Sequence, residues 1–271
     1  LTPIGKTPLK TFSAIFDTVT QCDERKFIQA VVAQGGIEPH YVRADRIGPL
    51  SDLEQVLWHQ DEAFYAPNLF MHSELYRAAS GQGVRVLLDG FDGDTTVSHG
   101  VTYMTELARQ GKWLALTREV RGFAHNYNRD PKKMLWKYVW PYGLAPIVPS
   151  IGQRLGRKLT RKFQEQKSPT LKLNPVLVQR LDLQERIQHL QPYRNSPAQT
   201  AKEAHYRRLN WGVIPFSLEV VDRAAAPLGI EPRYPFFDKR LVEFCLSLPP
   251  QQKIFHGWTR MVMRRGMSGI L

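Results

Sequence analysis

Hydrophobic and polar positions divide the first hundred residues into segments that change period. Leu9-Lys10-Thr11-Phe12-Ser13-Ala14-Ile15-Phe16 reads as a strand, and Asp17 to Cys22 as a loop. Asp23-Glu24 place acidic residues at the start of a helix whose apolar positions Phe27, Ile28, Val31 and Val32 share one face. Gly35-Gly36 stop it, and His40-Tyr41-Val42 begin a short strand. The spacing predicts a second helix from Asp52 to His59 and a third from Ser73 to Ala79, ending near Gly81. Val84 to Leu88 follows as a Val- and Leu-rich strand, expected to be buried on both faces. Strand, helix, strand, helix, helix, strand is the alternation of a parallel α/β sheet. Beyond about residue 101 the pattern turns helical, broken by Pro131, Pro141, Pro146, Pro149 and Pro169, with no further clear strand. Trp113, Trp136, Trp140 and Trp211 in this part are expected to anchor helix packing.

The strand at 84–88 ends in Asp89-Gly90-Phe91-Asp92-Gly93-Asp94-Thr95-Thr96, three aspartates interleaved with two glycines. Glycine lets a backbone turn sharply and approach a ligand closely. Just past the carboxyl end of a parallel strand is where open α/β sheets bind ligands. Clustered carboxylate oxygens suit Mg²⁺, which usually arrives with phosphate. The plainer reading is a solvated Asp/Gly turn, since both residues are common turn formers.

Composition changes the picture in three places. The chain has 271 residues, 42% of them hydrophobic, enough for a well-buried core. Cys22 and Cys245 lie too far apart for a metal or redox spacing and read as buried free thiols of a reducing, cytoplasmic setting. No apolar run approaches the length of a membrane span, so no membrane association is expected. The net charge of +12 is carried by residues 101–200, with 18 Lys/Arg against 6 Asp/Glu; the rest of the chain balances at 19 against 19. Arg154, Arg157, Lys158, Arg161, Lys162 and Lys167 would form a cationic face at helical spacing, open to an acidic partner or simply to water. The cluster carries no base-reading motif, so nucleic acid is not expected as a partner.

A second chemical cluster lies near the end. Glu231-Pro232-Arg233-Tyr234-Pro235-Phe236-Phe237-Asp238 is held extended by its prolines, with Glu231 and Arg233 on one side as a brace against the 84–94 segment. Arg260 and Arg264 are four apart and, on one helix, would share a face able to clamp a phosphate.

Taken in order, these segments resemble the synthetase domain of asparagine synthetase and its relatives, the β-lactam synthetases and lasso-peptide cyclases. The resemblance rests on Leu9–Phe16 with Asp23-Glu24; on Asp61-Glu62-Ala63-Phe64; on Val84–Thr95 against the family's strand and Ser-Gly-Glu-Gly-x-Asp-Glu; on Leu218–Asp238 against Glu-x-Arg-x-Pro-Phe-x-Asp; and on Trp258–Arg264 against Lys-x-x-Leu-Arg. It implies an α/β fold with a mostly parallel twisted sheet of the ATP-pyrophosphatase (adenine nucleotide alpha hydrolase-like) type, followed by a largely helical part. Residues 1–100 would be the nucleotide-binding part and 101–271 the helical part. The implied chemistry is ATP- and Mg²⁺-dependent adenylation of a small-molecule or peptide carboxylate, then capture by an amine or by ammonia from a glutaminase domain.

By the same resemblance Asp94 holds Mg²⁺ on pyrophosphate, with Asp92 as an extra carboxylate. Asp89, Gly90 and Ala14 lie beside the nucleotide. Arg260 stands for the lysine that neutralises developing charge, and Arg264 is a second anion contact. Arg supplies a permanent cation but cannot cycle a proton. Phe91 stands where asparagine synthetase has a glutamate near its second substrate. That departure admits a cyclase or amide ligase, or a degenerate binding module, as alternatives to glutamine-dependent asparagine synthesis. The first residues, Leu1-Thr2-Pro3-Ile4-Gly5, contain no Met, and the family's Ser-Gly-Gly-x-Asp-Ser pyrophosphate loop is not found before Leu9. The chain is therefore expected to be part of a longer enzyme and inactive alone.

Overall fold

The structure, a computed structural model, describes residues 7–61, 68–144, 174–183, 185–186 and 198–270. The basic cluster at 154–167 and the resemblance at Glu62-Ala63-Phe64 lie outside them. The chain forms an α/β protein of two compact units: Leu1–Val97 with Leu209–Cys245 and Met263–Leu271, and Ser98–Arg208 with Leu246–Val262. The expected helical part, 101–271, is thus shared between both units. None of the described helices is long and apolar enough to cross a membrane.

In the first unit, β1 (Leu9–Ile15) pairs in parallel with β2 (Ile37–Arg43), connected through α1 (Arg25–Val32). The turn after α1 uses Gly35 and Gly36, both at positive φ of 84° and 69°. Helices α2 (Leu53–Gln60) and α3 (Leu69–Gly81) lead to β3 (Val86–Leu88), which ends at the short α4 (Gly93–Val97). Later in the chain, α10 (Val213–Ala225) precedes β4 (Glu231–Arg233), which pairs in parallel with β3. Tyr76, Ala79, Val221, Ala225 and Ile230 form the core of this unit, with Phe12, Leu87 and Phe91 packed on it.

Four expectations are corrected here. The two parallel pairs are not joined by main-chain hydrogen bonds into one sheet among the described residues; side chains of β1 and β3 meet on a shared core instead. β3 is not buried on both faces, because Val86 is 42% and Leu88 69% exposed. The stretch beyond residue 101 does contain strands. β4 was hidden by Pro232, which a ladder tolerates only where its missing N–H faces away. That is its position: Glu231 N–H donates to Arg85 O at 2.8 Å and Arg233 O accepts from Asp89 N–H at 2.8 Å, leaving Pro232 between. The amphipathic pattern of α1 also reads differently in space, with Phe27 69% exposed.

The second unit contains α5 (Thr102–Arg109), α6 (Trp113–Asn126), α7 (Pro131–Tyr138) and α8 (Pro175–Arg180), together with most of α9 (Ala201–Leu209). Asp130 caps α7, accepting from the N–H groups of Lys132 and Lys133, and Pro131 occupies the first turn. Met104, Leu107, Leu116, Val120, Tyr138 and Ile254 form its core. Trp113 packs there as expected, but Trp136, Trp140 and Trp211 are exposed. Cys245, in α11 (Lys239–Ser247), is buried; Cys22 is exposed rather than buried, because its short 3₁₀ turn has no buried residue.

Candidate functional site

The Asp/Gly loop stands at the carboxyl end of β3, as the pattern predicts. Asp89 ends the strand. Its Oδ1 accepts the N–H of Phe91 at 2.8 Å and its Oδ2 accepts the Tyr76 hydroxyl at 3.1 Å. One carboxylate oxygen therefore closes the turn and the other ties it to α3. Gly90 is exposed, and a Cβ built on it meets nothing within 4 Å. The backbone at Gly90 is open to a ligand. Gly93 is glycine for a different reason: a Cβ there would come within 2.9 Å of the Phe236 ring. Phe236, from the Pro235–Phe237 turn after β4, thus packs directly on the start of α4.

Asp92 adopts a left-handed conformation, φ 49°, and its Oδ1 takes the Thr95 hydroxyl at 2.5 Å. Asp94 lies in the first turn of α4 with its residue exposed, while Thr95, Thr96 and Val97 are buried. The loop therefore turns Asp94 outward and anchors the helix by the next three residues. No group of three or more His, Cys, Asp or Glu among the described residues could hold a metal ion. One or two carboxylates suffice for Mg²⁺ that also takes phosphate oxygens, and Asp94 with Asp92 fits that donor set. Ala14 is half-buried on β1, opposite Val42.

Phe91 is half-buried between two other rings. His72 lies edge-on at 6.2 Å and Tyr234 edge-on at 6.0 Å. Burial pushes His72 below the usual imidazole range, and the opposing pull of Asp89 is smaller. Burial first, then the Asp89 charge, raises Tyr76 and pushes Tyr234 up to about 12. Both phenols are neutral donors at any ordinary pH. The Tyr234 hydroxyl is buried without a hydrogen bond of good geometry, although it lies near that of Tyr76. The sequence reading missed His72, Tyr76 and Tyr234. The first two are four apart, Tyr76 on the predicted 73–79 helix and His72 one residue before it, and that spacing was the available signal.

Two expectations about the end of the chain change. Glu231 and Arg233 do project to one side, but they pair with each other at 2.8 Å with both side chains more than half exposed. The brace to the 84–94 segment is the main-chain pairing of β3 and β4, not an ion pair. Arg260 and Arg264 do not share a helix face. Helix α12 (Met261–Gly266) begins after Arg260, which has φ 55° and belongs to the second unit, whereas Arg264 is exposed and belongs to the first.

What precedes Arg260 is a hairpin that the sequence did not announce. Strands β5 (Ile254–Phe255) and β6 (Trp258–Thr259) are antiparallel, joined by His256 and Gly257, both at positive φ. Lys253 O accepts Met261 N–H at 3.1 Å, so the ladder closes on both sides of Arg260. Gly257 lies so close to α6 that a Cβ would overlap the main chain of Gly122 and Phe123. The Glu119 carboxylate, 7% exposed, accepts the N–H of His256 at 3.2 Å and of Gly257 at 2.9 Å. Asn126 donates to His256 O at 3.2 Å, and the Tyr127 and Thr259 hydroxyls meet at 2.7 Å.

A separate groove in the first unit, lined by Val56, His59, Leu69, Phe70, Ser73 and Leu228 among others, includes none of the loop residues. No curated protein and no solved structure matches this chain. The sequence model of one family, described as asparagine synthase, matches residues 1–271. That match spans the Asp/Gly loop, the β4 segment and the Arg260 hairpin alike, and it is the ground for assigning the chain to the asparagine synthase family of carbon–nitrogen ligases.

Proposed function

We propose that the protein is an ATP-dependent amide-forming ligase of the ATP-pyrophosphatase type. A carboxylate oxygen of the substrate attacks the α-phosphorus of ATP as the bond to pyrophosphate breaks. An amine nitrogen then attacks the acyl carbon, AMP leaves, and the amine gives up a proton. The observation that carries this reading is the outward-facing Asp94 at the first turn of α4, beside the open backbone of Gly90 and at the end of a parallel strand.

Asp94, with Asp92, would hold Mg²⁺; bound there, the ion neutralises charge on the leaving pyrophosphate. Asp89 keeps the loop closed, while Gly90 and Ala14 lie along the nucleotide. Arg260 would supply a fixed cation for charge developing in the transition state. Arginine in this place stabilises charge without taking a proton, so the amine proton leaves through another acceptor or through water.

Phe91 favours a cyclase or amide ligase with a partly apolar substrate over asparagine synthesis from free aspartate. Its ring, between His72 and Tyr234, presents aromatic surface where a carboxylate would bind an amino acid by charge. ATP–pyrophosphate exchange by the full-length protein tests the proposal, using a panel of amino-acid and peptide carboxylates. Exchange with one of them, lost in Asp94→Asn while the circular dichroism spectrum is unchanged, is the expected result. Exchange that survives Asp94→Asn refutes the role of Asp94. No exchange with any carboxylate favours the non-catalytic binding module.

A further inference from the structure

Glu119 takes no part in the loop at 89–94, yet it is a nearly buried carboxylate whose two oxygens are each spent on one main-chain N–H of the 256–257 turn. Such donors could be met by neutral carbonyls. A full negative charge there gives shorter, stronger bonds, at the cost of burying it. The same turn is gripped twice more, by Asn126 on His256 O and by the overlap-tight approach of Gly122 to Gly257. One residue further along, Tyr127 fixes Thr259 by its hydroxyl. Glu119, Gly122 and Asn126 lie on α6 and Tyr127 immediately follows it, and everything they hold lies within four residues of Arg260. Arg260 is itself in a left-handed conformation that an L-residue with a long side chain rarely adopts. Such strain persists only where the surroundings over-determine it.

We infer that Glu119 is a positioning residue for Arg260: the α6 clamp holds the 254–259 hairpin rigidly enough to impose a strained backbone on the one cation that must be in place as charge develops. This rests on the proposed role of Arg260 in adenylation. Arg260 then acts in the transition state and contributes little to ground-state ATP binding, so loosening the clamp lowers kcat more than it changes KM. A shift of the cation by about 1 Å can cost a hundredfold in rate, so the clamp's geometry matters more than its strength.

The experiment is a double-mutant cycle on the full-length protein in ATP–pyrophosphate exchange, with the carboxylate giving the highest wild-type rate. Glu119→Gln supplies one acceptor where two are needed and turns an NH₂ toward an N–H. It should lower kcat by about ten- to a hundredfold with KM for ATP within about twofold of wild type. Arg260→Ala should lower it at least as much, and the double variant should match Arg260→Ala alone. Should Glu119→Gln fail to fold, Tyr127→Phe takes its place, with a smaller loss that also vanishes in the Arg260→Ala background. Losses that multiply in the double variant, or a placeholder Tyr127→Phe at the wild-type rate, overturn the positioning role and leave the ligase reading standing. Arg260→Ala at the wild-type rate overturns the role of Arg260 and the positioning role with it.

Discussion

Gly257→Ala is the sharpest perturbation of the hairpin. The residue has φ 76°, and a Cβ there would overlap the main chain of Gly122 and Phe123 in α6, which has no flexible end to move aside. Holding an L-residue in a left-handed conformation costs roughly 1–2 kcal/mol. Forcing extra volume into a closely packed contact typically costs about 1–3 kcal/mol more. If the turn lifts off α6 to relieve the overlap, it gives up the two N–H bonds to Glu119, and bonds to a charged acceptor are worth about 1.5–3 kcal/mol each. The cheaper route wins, so the expected loss is about 2–5 kcal/mol, above the typical single substitution. Gly90→Ala is the control. Its φ is not positive and its Cβ meets nothing within 4 Å, so stability should change by less than about 0.5 kcal/mol. Urea unfolding followed by circular dichroism and by tryptophan fluorescence reads both, and coincident transitions license the comparison. Gly257→Ala within about 1 kcal/mol of wild type would refute the reasoning, because the hairpin could then not be pressed onto α6 as described.

Other expectations concern the loop and its surroundings. Thr96 is fully buried and its hydroxyl has no hydrogen-bond partner, so Thr96→Val should leave stability unchanged or raise it by up to about 1 kcal/mol; a clear loss in urea unfolding would show that the hydroxyl is satisfied. His72 is held below its ordinary value of 6.5, so the unfolded chain binds its proton first and stability should fall as pH drops below about 6.5. His72→Phe should flatten that part of the stability–pH curve, and an unchanged slope would contradict the burial of a neutral ring. Asp238 is held at about 2, first by the Arg240 side chain and then by main-chain N–H bonds, so carboxyl NMR should find it still ionised at pH 3, and in Arg240→Ala it should rise toward, but stay below, its ordinary value of 3.8.

Element types in the first unit were legible because local period and punctuation agree with tertiary packing there. β1, α1, β2, α2 and α3 fall within a few residues of where alternation, acidic starts and glycine stops put them. β4 was not legible, since Pro232 reads as a breaker until the partner strand shows which edge it uses. The β5–β6 hairpin is two residues per strand, below the length at which a period exists, and its turn is His-Gly rather than Asn-Gly. The Arg260/Arg264 spacing suggested a shared helix face because sequence distance carries no record of a left-handed residue between strand and helix. In the site, the aspartates and glycines announced themselves by type. His72, Tyr76 and Tyr234 did not, because each is an ordinary residue whose meaning comes from what lies beside it: Phe91 for the rings of His72 and Tyr234, Asp89 for the hydroxyl of Tyr76. Glu119 reads from sequence as one more surface charge on a helix, and only the turn it accepts from shows otherwise.

The central claim is attack of a carboxylate on the α-phosphorus of ATP, and an isotope measurement tests it most directly. The full-length protein is incubated with ATP, Mg²⁺, an acceptor amine and a carboxylate that supports exchange, labelled with ¹⁸O in both carboxyl oxygens, and the nucleotide product is examined by mass spectrometry. The account predicts AMP carrying one ¹⁸O together with unlabelled pyrophosphate, formed by wild type and absent with Asp94→Asn. Unlabelled AMP, or ADP with labelled phosphate, would contradict it.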